Sequence, residues 1–129
     1  MERIYLEPAG LAPPPEPYTH AVRCGDTLYI AGQVAFDEDN RIVGVGDAQL
    51  QAKRVWHNIS LAVEAAGGRV ADVVKITVFL KDIRDAPAEI AARERHFEPG
   101  EFPICTMVQV ANLGMPDLLL EVDAVAVLG

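Results

Sequence analysis

The most constraining feature of the sequence is one long stripe of apolar residues at helical spacing. The stripe consists of Ala52, Val55, Trp56, Ile59, Ala62, Val63 and Ala66. Steps of three and four residues place these side chains on one face of an α-helix of about five turns. Asp47 before the stripe is a natural N-cap, and Gly67-Gly68 after it is a natural C-cap. The sequence therefore predicts one long helix with a single face to bury.

The chain before and after this helix has the pattern of β-strands. Gly25-Asp26 separates residues 18–24 from residues 27–34, which predicts a hairpin. The segment 73–80 is rich in β-branched residues and predicts a third long strand. Pro13 to Pro17 forms a proline-rich stretch that reads as an extended arm leading into the hairpin.

The C-terminal third of the chain predicts a second, shorter helix and two more strands. The helix is expected over residues 88–97, ending at Pro99-Gly100. The strands are expected over residues 104–110 and 118–127. The complete order is strand, strand, helix, strand, helix, strand, strand, which predicts an α+β sandwich of two layers. In this sandwich both helices pack on one face of a mixed sheet.

The predicted strands carry more apolar residues than a sheet with one solvated face would use. These residues are Val78, Leu80, Val108, Val110, Leu118, Leu120, Val122, Val125 and Val127. The helices can cover only one face, so the second face is expected to be covered by association with other copies of the chain.

Length and charge narrow the function classes. A chain of 129 residues predicts a single domain, residues 1–129. Its formal net charge of -8 argues against nucleic acid as a partner, because phosphate binding requires clustered lysine and arginine. No apolar stretch approaches the roughly 20 residues that span a bilayer. We therefore expect a cytoplasmic protein that binds no membrane and whose partners are small molecules or protein chains.

Metal and cofactor motifs are not recognisable in the sequence. His20, His57 and His96 are scattered, and neither a Cys-x-x-Cys nor a His-x-x-x-His motif occurs. The acidic segment 37–41 reads as a solvated loop, and Gly44-Val45-Gly46 does not complete a phosphate-binding motif. The sequence predicts neither a metal nor a cofactor.

Several local strings resemble the RidA (reactive intermediate deaminase A, YjgF-like) family, and they run in family order over essentially the whole chain. They are Pro17-Tyr18-Thr19-His20-Ala21-Val22, Ile30-Ala31-Gly32-Gln33-Val34, Asn58 with Glu64-Ala65-Ala66-Gly67, Val74 to Asp82, Phe102-Pro103 and Leu120 to Ala126. The resemblance implies a chorismate-mutase-like fold. It also implies a homotrimer in which the sheets line a central barrel and three pockets lie between subunits. Such a trimer would cover the second sheet face.

The resemblance further implies an activity, the hydrolysis of reactive enamines or imines to a keto acid and ammonia. Glu121 stands where the family has a glutamate that orients the attacking water. Gly32 stands where a backbone N–H binds the substrate, and Gln33 follows it as in the family. Tyr18 matches the tyrosine that closes the pocket. These four residues are therefore candidate site residues, with Glu121 as the catalytic one.

Three positions of the implied pocket depart from the family pattern. Cys105 stands where the family has the arginine that pairs with the substrate carboxylate. Ala31 replaces a small hydroxylated residue, and Ile90 replaces an asparagine on the second helix. Without the planar fork of that arginine, a small carboxylate substrate is expected to bind poorly in the usual pose. Arginines elsewhere in the chain (Arg23, Arg84, Arg93 and Arg95) are expected to be solvated surface charges.

Two of the site residues allow more than one interpretation from the sequence. Glu121 lies on an apolar strand, where a carboxylate needs either a pocket or a salt bridge across the trimer. The resemblance favours the pocket. Cys105 is either a small buried apolar residue or a nucleophile with a nearby base, for which His20 is the best-supported candidate. We expect Cys105 to line the pocket without a covalent role.

Two functions remain open at the level of sequence. The first is hydrolytic deamination of an enamine or imine, or a related water addition, on a substrate that lacks the usual carboxylate anchor. The second is a noncatalytic trimer that binds a small ligand or acts in regulation and has lost the chemistry. Ribonuclease activity, which has been attached to the family, fits the acidic charge least well.

Overall fold

Six strands and two helices make up the fold in the computed structural model, which describes all residues 1–129. The strands are β1 (Arg3–Leu6), β2 (Ala21–Cys24), β3 (Thr27–Gln33), β4 (Val73–Leu80), β5 (Ile104–Gln109) and β6 (Leu120–Val127). The helices are α1 (Ala48–Ala65) and α2 (Ala86–Glu94). The predicted α+β class, with two helices and one sheet, is confirmed. Neither helix combines the length and the apolar character needed to cross a membrane.

All six strands belong to one sheet in the order β1-β2-β3-β6-β4-β5. β4 and β5 are parallel, and every other neighbouring pair is antiparallel, so the sheet is mixed as predicted. β2 and β3 form the predicted hairpin around Gly25, whose φ of 59° suits a residue without a side chain. β1 and β5 are the edges of the sheet, so β5 offers one side to a further partner.

The long helix α1 begins and ends at the predicted caps. The Asp47 side chain accepts a hydrogen bond from the Leu50 backbone N–H at 3.0 Å. At the other end, the backbone N–H of Gly68 donates to the Val63 carbonyl at 3.1 Å. Gly67 has a φ of 85°, which a glycine adopts without strain. These bonds satisfy backbone groups that a helix leaves unpaired at its ends.

The core lies between the helices and one face of the sheet. Trp56, Val55, Ile59 and Val63 of α1 are completely buried there. Four of the nine apolar strand residues singled out in the sequence also belong to this core, namely Val78, Leu80, Leu120 and Val122, whereas Leu118 is buried outside it. Burying a side chain of this size contributes about 1.5–3 kcal/mol, so this layer is the main source of stability.

The opposite face of the sheet is not covered by any helix. It carries Tyr29, Phe79, Ile104, Val108, Val125 and Val127, which we call the open face. Tyr29 is 53% exposed, Ile104 66% and Val127 49%. Large apolar side chains are thus presented side by side on a surface that one chain alone leaves open, as the strand composition predicted.

β2 and β6 begin three and two residues later than predicted, and two further elements also differ from the sequence-based prediction. β1 was not predicted, because it has only four residues, three of them exposed, and therefore lacks the apolar alternation of a half-buried strand. α2 begins two residues earlier than predicted, with Pro87 in its first turn, and ends three residues earlier. Because the helix ends there, His96 and Phe97 pack against Trp56. The ring centroid of each lies 5.7 Å from that of Trp56.

Candidate functional site

An irregularity in strand β3 marks the first group of candidate residues. Ile30 is paired with Ala124, whereas Gln33 is paired with Val122, so two residues of β3 lie opposite Asp123 alone. These two residues are Ala31 and Gly32. Such a bulge bends a strand and redirects its backbone, and bulges are common next to functional sites.

Glu121 covers the backbone of Gly32. A Cβ atom at position 32 would lie 2.7 Å from the Glu121 Cδ, which is closer than real Cβ contacts. The Glu121 side chain therefore occupies the space that any other residue at position 32 would need. The family resemblance predicted these two residues in one site, and the structure brings them into contact.

The environment of Glu121 favours its protonated form. Burial raises the pKa of this carboxyl above its usual value, and the negative charge of Asp123 raises it further. Asp123 itself accepts a hydrogen bond from the Thr77 backbone N–H at 3.1 Å. A raised pKa brings a carboxyl group closer to the pH at which one group can both accept and return a proton.

Tyr18 lies close to this carboxylate. Burial raises the pKa of its phenol, and the charge of Glu121 raises it further, followed by that of Glu16. Tyr18, Ala31, Gly32 and Glu121 together line a surface hollow of about 340 Å³. The Tyr18 side chain is 43% exposed, so it stands at the rim of the hollow, where a closing residue would have to be.

Gln33 and His20 form a separate, structural arrangement. Gln33 is buried, and its amide N–H groups donate to His20 Nδ1 at 3.2 Å and to the Ala31 carbonyl at 3.2 Å. The other ring nitrogen of His20 donates to the Ala12 carbonyl at 2.8 Å. Both residues thus fasten the hairpin to the N-terminal arm. Gln33 supports the bulge from behind rather than lining the Glu121 hollow.

A larger hollow of about 560 Å³ lies beneath the N-terminal arm, between β1 and the segment that contains Tyr18. His20 and Glu7 are the titratable candidates for chemistry in its lining besides the two tyrosines. Both ring nitrogens of His20 are already hydrogen-bonded, and Glu7 is the one carboxylate that lines this hollow. It thus offers no pair of reactive groups comparable with Glu121 and Tyr18. No three His, Cys, Asp or Glu side chains converge as metal ligands anywhere in the chain.

The remaining candidates, Cys105 and Ile90, lie in a second group. Cys105 is paired with Ile76 and Glu121 with Phe79, and residues three apart along β4 point to opposite faces of the sheet. Cys105 is therefore on the helix side and Glu121 on the open side, with β4 between their strands. Within one chain these two residues do not share a pocket. His20 lies at the β2 end of the sheet and does not meet Cys105 either.

Arg93 lies near enough to Cys105 to affect the pKa of its thiol, and its environment contradicts the prediction that it is a solvated surface charge. Only 14% of its side chain is exposed. Its Nε donates to the Glu89 carboxylate at 3.1 Å, and its Nη2 donates to the second oxygen at 2.5 Å. The prediction was wrong because sequence spacing did not show that a buried acid, four residues earlier on α2, would hold the guanidinium against the core.

The pKa of the Cys105 thiol is affected by burial and by the charges of Arg93 and Glu89. Burial raises the pKa of the thiol, the charge of Arg93 opposes this shift, and the charge of Glu89 adds to it. The net direction is upward, so the neutral thiol is favoured near neutral pH. The residue itself is exposed at the sheet edge, so the shift lowers the fraction of thiolate without hiding the thiol from solvent. Ile90, 39% exposed on the same helix, lines a hollow of about 200 Å³ together with Arg93, Glu94 and Phe102.

The other arginines behave differently from Arg93. The Arg84 side chain is 87% exposed and pairs with Asp82, next to it on the surface, and Arg95 is exposed as well. Both are surface charges, as predicted. Arg23 is partly covered and donates to the Ala66 carbonyl at 2.9 Å, which ties β2 to the end of α1.

The fold and the site define a class of small α+β proteins. Its features are a six-stranded mixed sheet with two helices on one face, and a glutamate of the last strand that lies over a glycine in a bulge. The protein-family model described as Endoribonuclease L-PSP matches residues 10–128. A RutC family protein of Synechocystis is 38% identical over 129 residues, covering 99% of this chain and 98% of the relative. The 3-aminoacrylate deaminase RutC of Acinetobacter baylyi is 36% identical, covering 98% of both.

Solved structures agree with these sequence matches. RidA from a Psychrobacter species superposes with a TM-score of 0.89 at 28% identity, covering 97% of this chain and 99% of the other. TdcF of E. coli with bound serine superposes with a TM-score of 0.87 at 29% identity, covering 98% and 99%. The chain belongs to the RidA family.

Proposed function

We propose that this protein is a hydrolytic deaminase that converts an enamine or imine into a carbonyl compound and ammonia. The observation that carries the proposal is the Glu121 carboxyl, held over the Gly32 backbone beside Tyr18, with a pKa raised by burial. A relative named 3-aminoacrylate deaminase, 36% identical over almost the whole chain, supports the same reaction class. A cytoplasmic location is part of this proposal.

In this reaction Glu121 acts first as a base and then as an acid. The reacting species is the protonated imine, which an enamine forms by taking a proton from solvent on its carbon. The Glu121 carboxylate takes a proton from water as the water oxygen attacks the C=N carbon, giving a neutral carbinolamine. The carboxylic acid then protonates the amine nitrogen, and the carboxylate takes the hydroxyl proton as the C–N bond breaks, so that ammonia and the carbonyl product leave and the last proton passes to solvent. One group can perform both steps when its pKa lies near the working pH. The Gly32 backbone holds the substrate end next to this carboxyl, and Tyr18 covers it.

The proposal includes a homotrimer, with Glu121 of one subunit and Cys105 of another in the same pocket. Two observations support it. Glu121 and Cys105 lie on opposite faces of the sheet, so a pocket containing both requires a second copy. The open face, with Tyr29, Ile104 and Val127 largely exposed, gives further copies an apolar surface to cover.

A noncatalytic binding trimer is the second candidate. Cys105 and Ile90 favour it, because both replace polar groups of the family pocket, and because the raised pKa of Cys105 makes the thiol a poor substitute for a charged anchor. The two candidates share the pocket but differ in what Glu121 does. If turnover depends on Glu121, the protein is an enzyme. If ligands bind without turnover, it is a binding module.

The test is an ammonia-release assay with freshly generated imines of several amino acids. Glu121→Gln keeps the size of the side chain and removes its proton-transfer ability, so turnover should fall about 100-fold or more. Glu64→Gln, the same change on the exposed surface of α1, is the matched control and should leave turnover unchanged. Equal turnover of the Glu121→Gln protein and the wild type would refute the proposal.

A further inference from the structure

Arg93 has a guanidinium edge that the fold itself does not use. The Glu89 carboxylate binds one edge, through Nε and Nη2. A guanidinium has five N–H donors, and this pair uses two of them, so both Nη1–H groups and the second Nη2–H are left. Cys105 points to the helix side of the sheet, where α2 carries Arg93, and the two groups are close enough for each to alter the pKa of the other.

The orientation of Arg93 is fixed by the core. Glu89 is completely buried, and one of its oxygens also accepts the Trp56 Nε1–H at 2.9 Å. Trp56 is itself completely buried in the stripe of α1. The Trp56–Glu89–Arg93 relay therefore holds the guanidinium in one place before any ligand arrives. A donor fixed in this way loses little conformational freedom on binding.

Arg93 borders a space large enough for a small ligand. Arg93, Ile90, Glu94 and Phe102 line this hollow of about 200 Å³. Ile90 and Phe102 supply its apolar part. The Glu94 carboxylate at its rim, together with a chain charge of -8, disfavours ligands that carry several negative charges. A single carboxylate fits the donor set best.

We infer that Arg93, a residue of α2, binds the carboxylate of the substrate in place of the arginine that Cys105 replaces on β5. The inference rests on the proposed function, since the Glu121 end of the pocket supplies the chemistry and the Arg93 end selects a substrate that carries a carboxylate. Cys105 then has a simple role. A small neutral side chain at position 105 leaves the Arg93 edge open, whereas a second arginine would compete with it for the same space and for Glu89.

This assignment changes the expected substrate. The sequence alone predicted poor binding of carboxylate-bearing imines, because no guanidinium could be placed in the pocket. A guanidinium is present beside Cys105, so imines of α-amino acids become the favoured substrate class. Glu89 is a positioning residue in this arrangement, because it acts on the substrate only through Arg93.

The test measures binding rather than turnover, so it can fail independently of the proposed function. The probes are 2-oxobutanoate, which has the form of a deamination product, and 2-oxobutanamide, which lacks the charge. Titration calorimetry with the assembled wild-type protein should show binding of the acid that is clearly tighter than binding of the amide. Arg93→Gln should weaken binding of the acid about tenfold or more and leave the amide unaffected. Arg84→Gln, which removes an exposed arginine paired only with Asp82, is the matched control.

A second measurement covers the case in which Arg93→Gln does not fold. In the wild-type protein, the NMR signal of the Arg93 Nε–H should shift on addition of 2-oxobutanoate and stay in place with 2-oxobutanamide. A folded Arg93→Gln protein that binds the acid as tightly as the wild type would overturn the inference. So would an Arg93 signal that does not move, or equal affinity of the wild type for acid and amide. Absence of imine turnover, with Arg93-dependent binding of the acid intact, would instead reject the proposed function alone.

Discussion

The Glu121 side chain leaves no room for a side chain at Gly32: a Cβ there would lie 2.9 Å from the Glu121 Cγ and 2.7 Å from its Cδ. Gly32 does not have a positive φ, so the reason for glycine here is contact with Glu121 and not backbone strain. The bulge that places Ala31 and Gly32 opposite Asp123 brings this backbone against the carboxyl. A methyl group at position 32 would therefore force the Glu121 carboxyl out of its present place.

Gly32→Ala should displace Glu121 and reduce turnover about 100-fold or more, because a shift of about 1 Å in a reacting group has an effect of this size. It should also lower the melting temperature. In a Glu121→Ala background the same Gly32→Ala change should cost little stability, since the side chain that it meets is gone. The measurement is a double-mutant cycle by thermal unfolding. Equal destabilisation in both backgrounds would show that another contact is responsible.

The raised pKa of Glu121 gives a stability prediction with a definite sign. A carboxyl whose pKa is higher in the folded than in the unfolded protein contributes its stability below the unfolded value, here about 4.5, and loses it as the pH rises through the folded value. Through this shift, Glu121 weakens the fold at pH values above about 4.5.

Glu121→Gln, which stays neutral, should consequently melt at a higher temperature than the wild type at pH 7, and the difference should shrink as the pH falls below about 4.5. Melting curves at both pH values and equal protein concentration test this. A variant that is less stable than the wild type at pH 7 would mean that the carboxylate is well paired in the assembled protein.

The Trp56–Glu89–Arg93 relay is expected to be a major contributor to stability. Glu89→Ala leaves the buried Trp56 Nε1–H without an acceptor and the largely buried Arg93 guanidinium without its counter-charge. Breaking a buried pair from one side costs about 3–5 kcal/mol. Chemical unfolding should show a loss of this order. Glu94→Ala, an exposed glutamate on the same helix, should change stability by no more than about 0.5 kcal/mol.

Cys105 should not be required for covalent chemistry. Burial raises the pKa of its thiol, and His20, the base considered for it, lies at the other end of the sheet with both ring nitrogens bonded. Cys105→Ser keeps the size of the side chain, and we expect it to retain most of the activity. Turnover and the rate of thiol alkylation are the measurements. Complete loss of turnover in a folded and assembled Cys105→Ser protein would favour the nucleophile.

The sequence predicted the fold well because its signals are local. The stripe of α1 and its two caps depend on spacing within 20 or so residues, and the hairpin depends on a two-residue turn. β1 was missed because an exposed edge strand of four residues has no such pattern. The parallel pairing of β4 with β5 is likewise set by tertiary contacts.

The candidate site was predicted only in part, for a related reason. Local strings indicated Gly32 and Glu121, which the structure brings together across two strands. Arg93 was misjudged because its burial depends on Glu89 and on Trp56, a residue 37 positions earlier in the chain. No short-range spacing shows such a relay. The sequence did contain one indication, because Glu89 and Arg93 are four residues apart on the second predicted helix. Oppositely charged residues at this spacing can form an ion pair.

The last prediction concerns the open face of the sheet. If Ile104, Val108 and Val127 pack against other copies, light scattering should give three times the chain mass of 14.0 kDa. Ile104→Asp places a charge on this surface, where an unpaired buried charge is very costly, and should release monomers. Leu50→Asp is the control, because Leu50 is 46% exposed at the start of α1, on the helix side of the sheet. It should leave the trimer intact. A wild-type protein that remains a stable monomer would contradict the proposal of a pocket shared between subunits. In that case Glu121 and Arg93 could not bind the same substrate molecule.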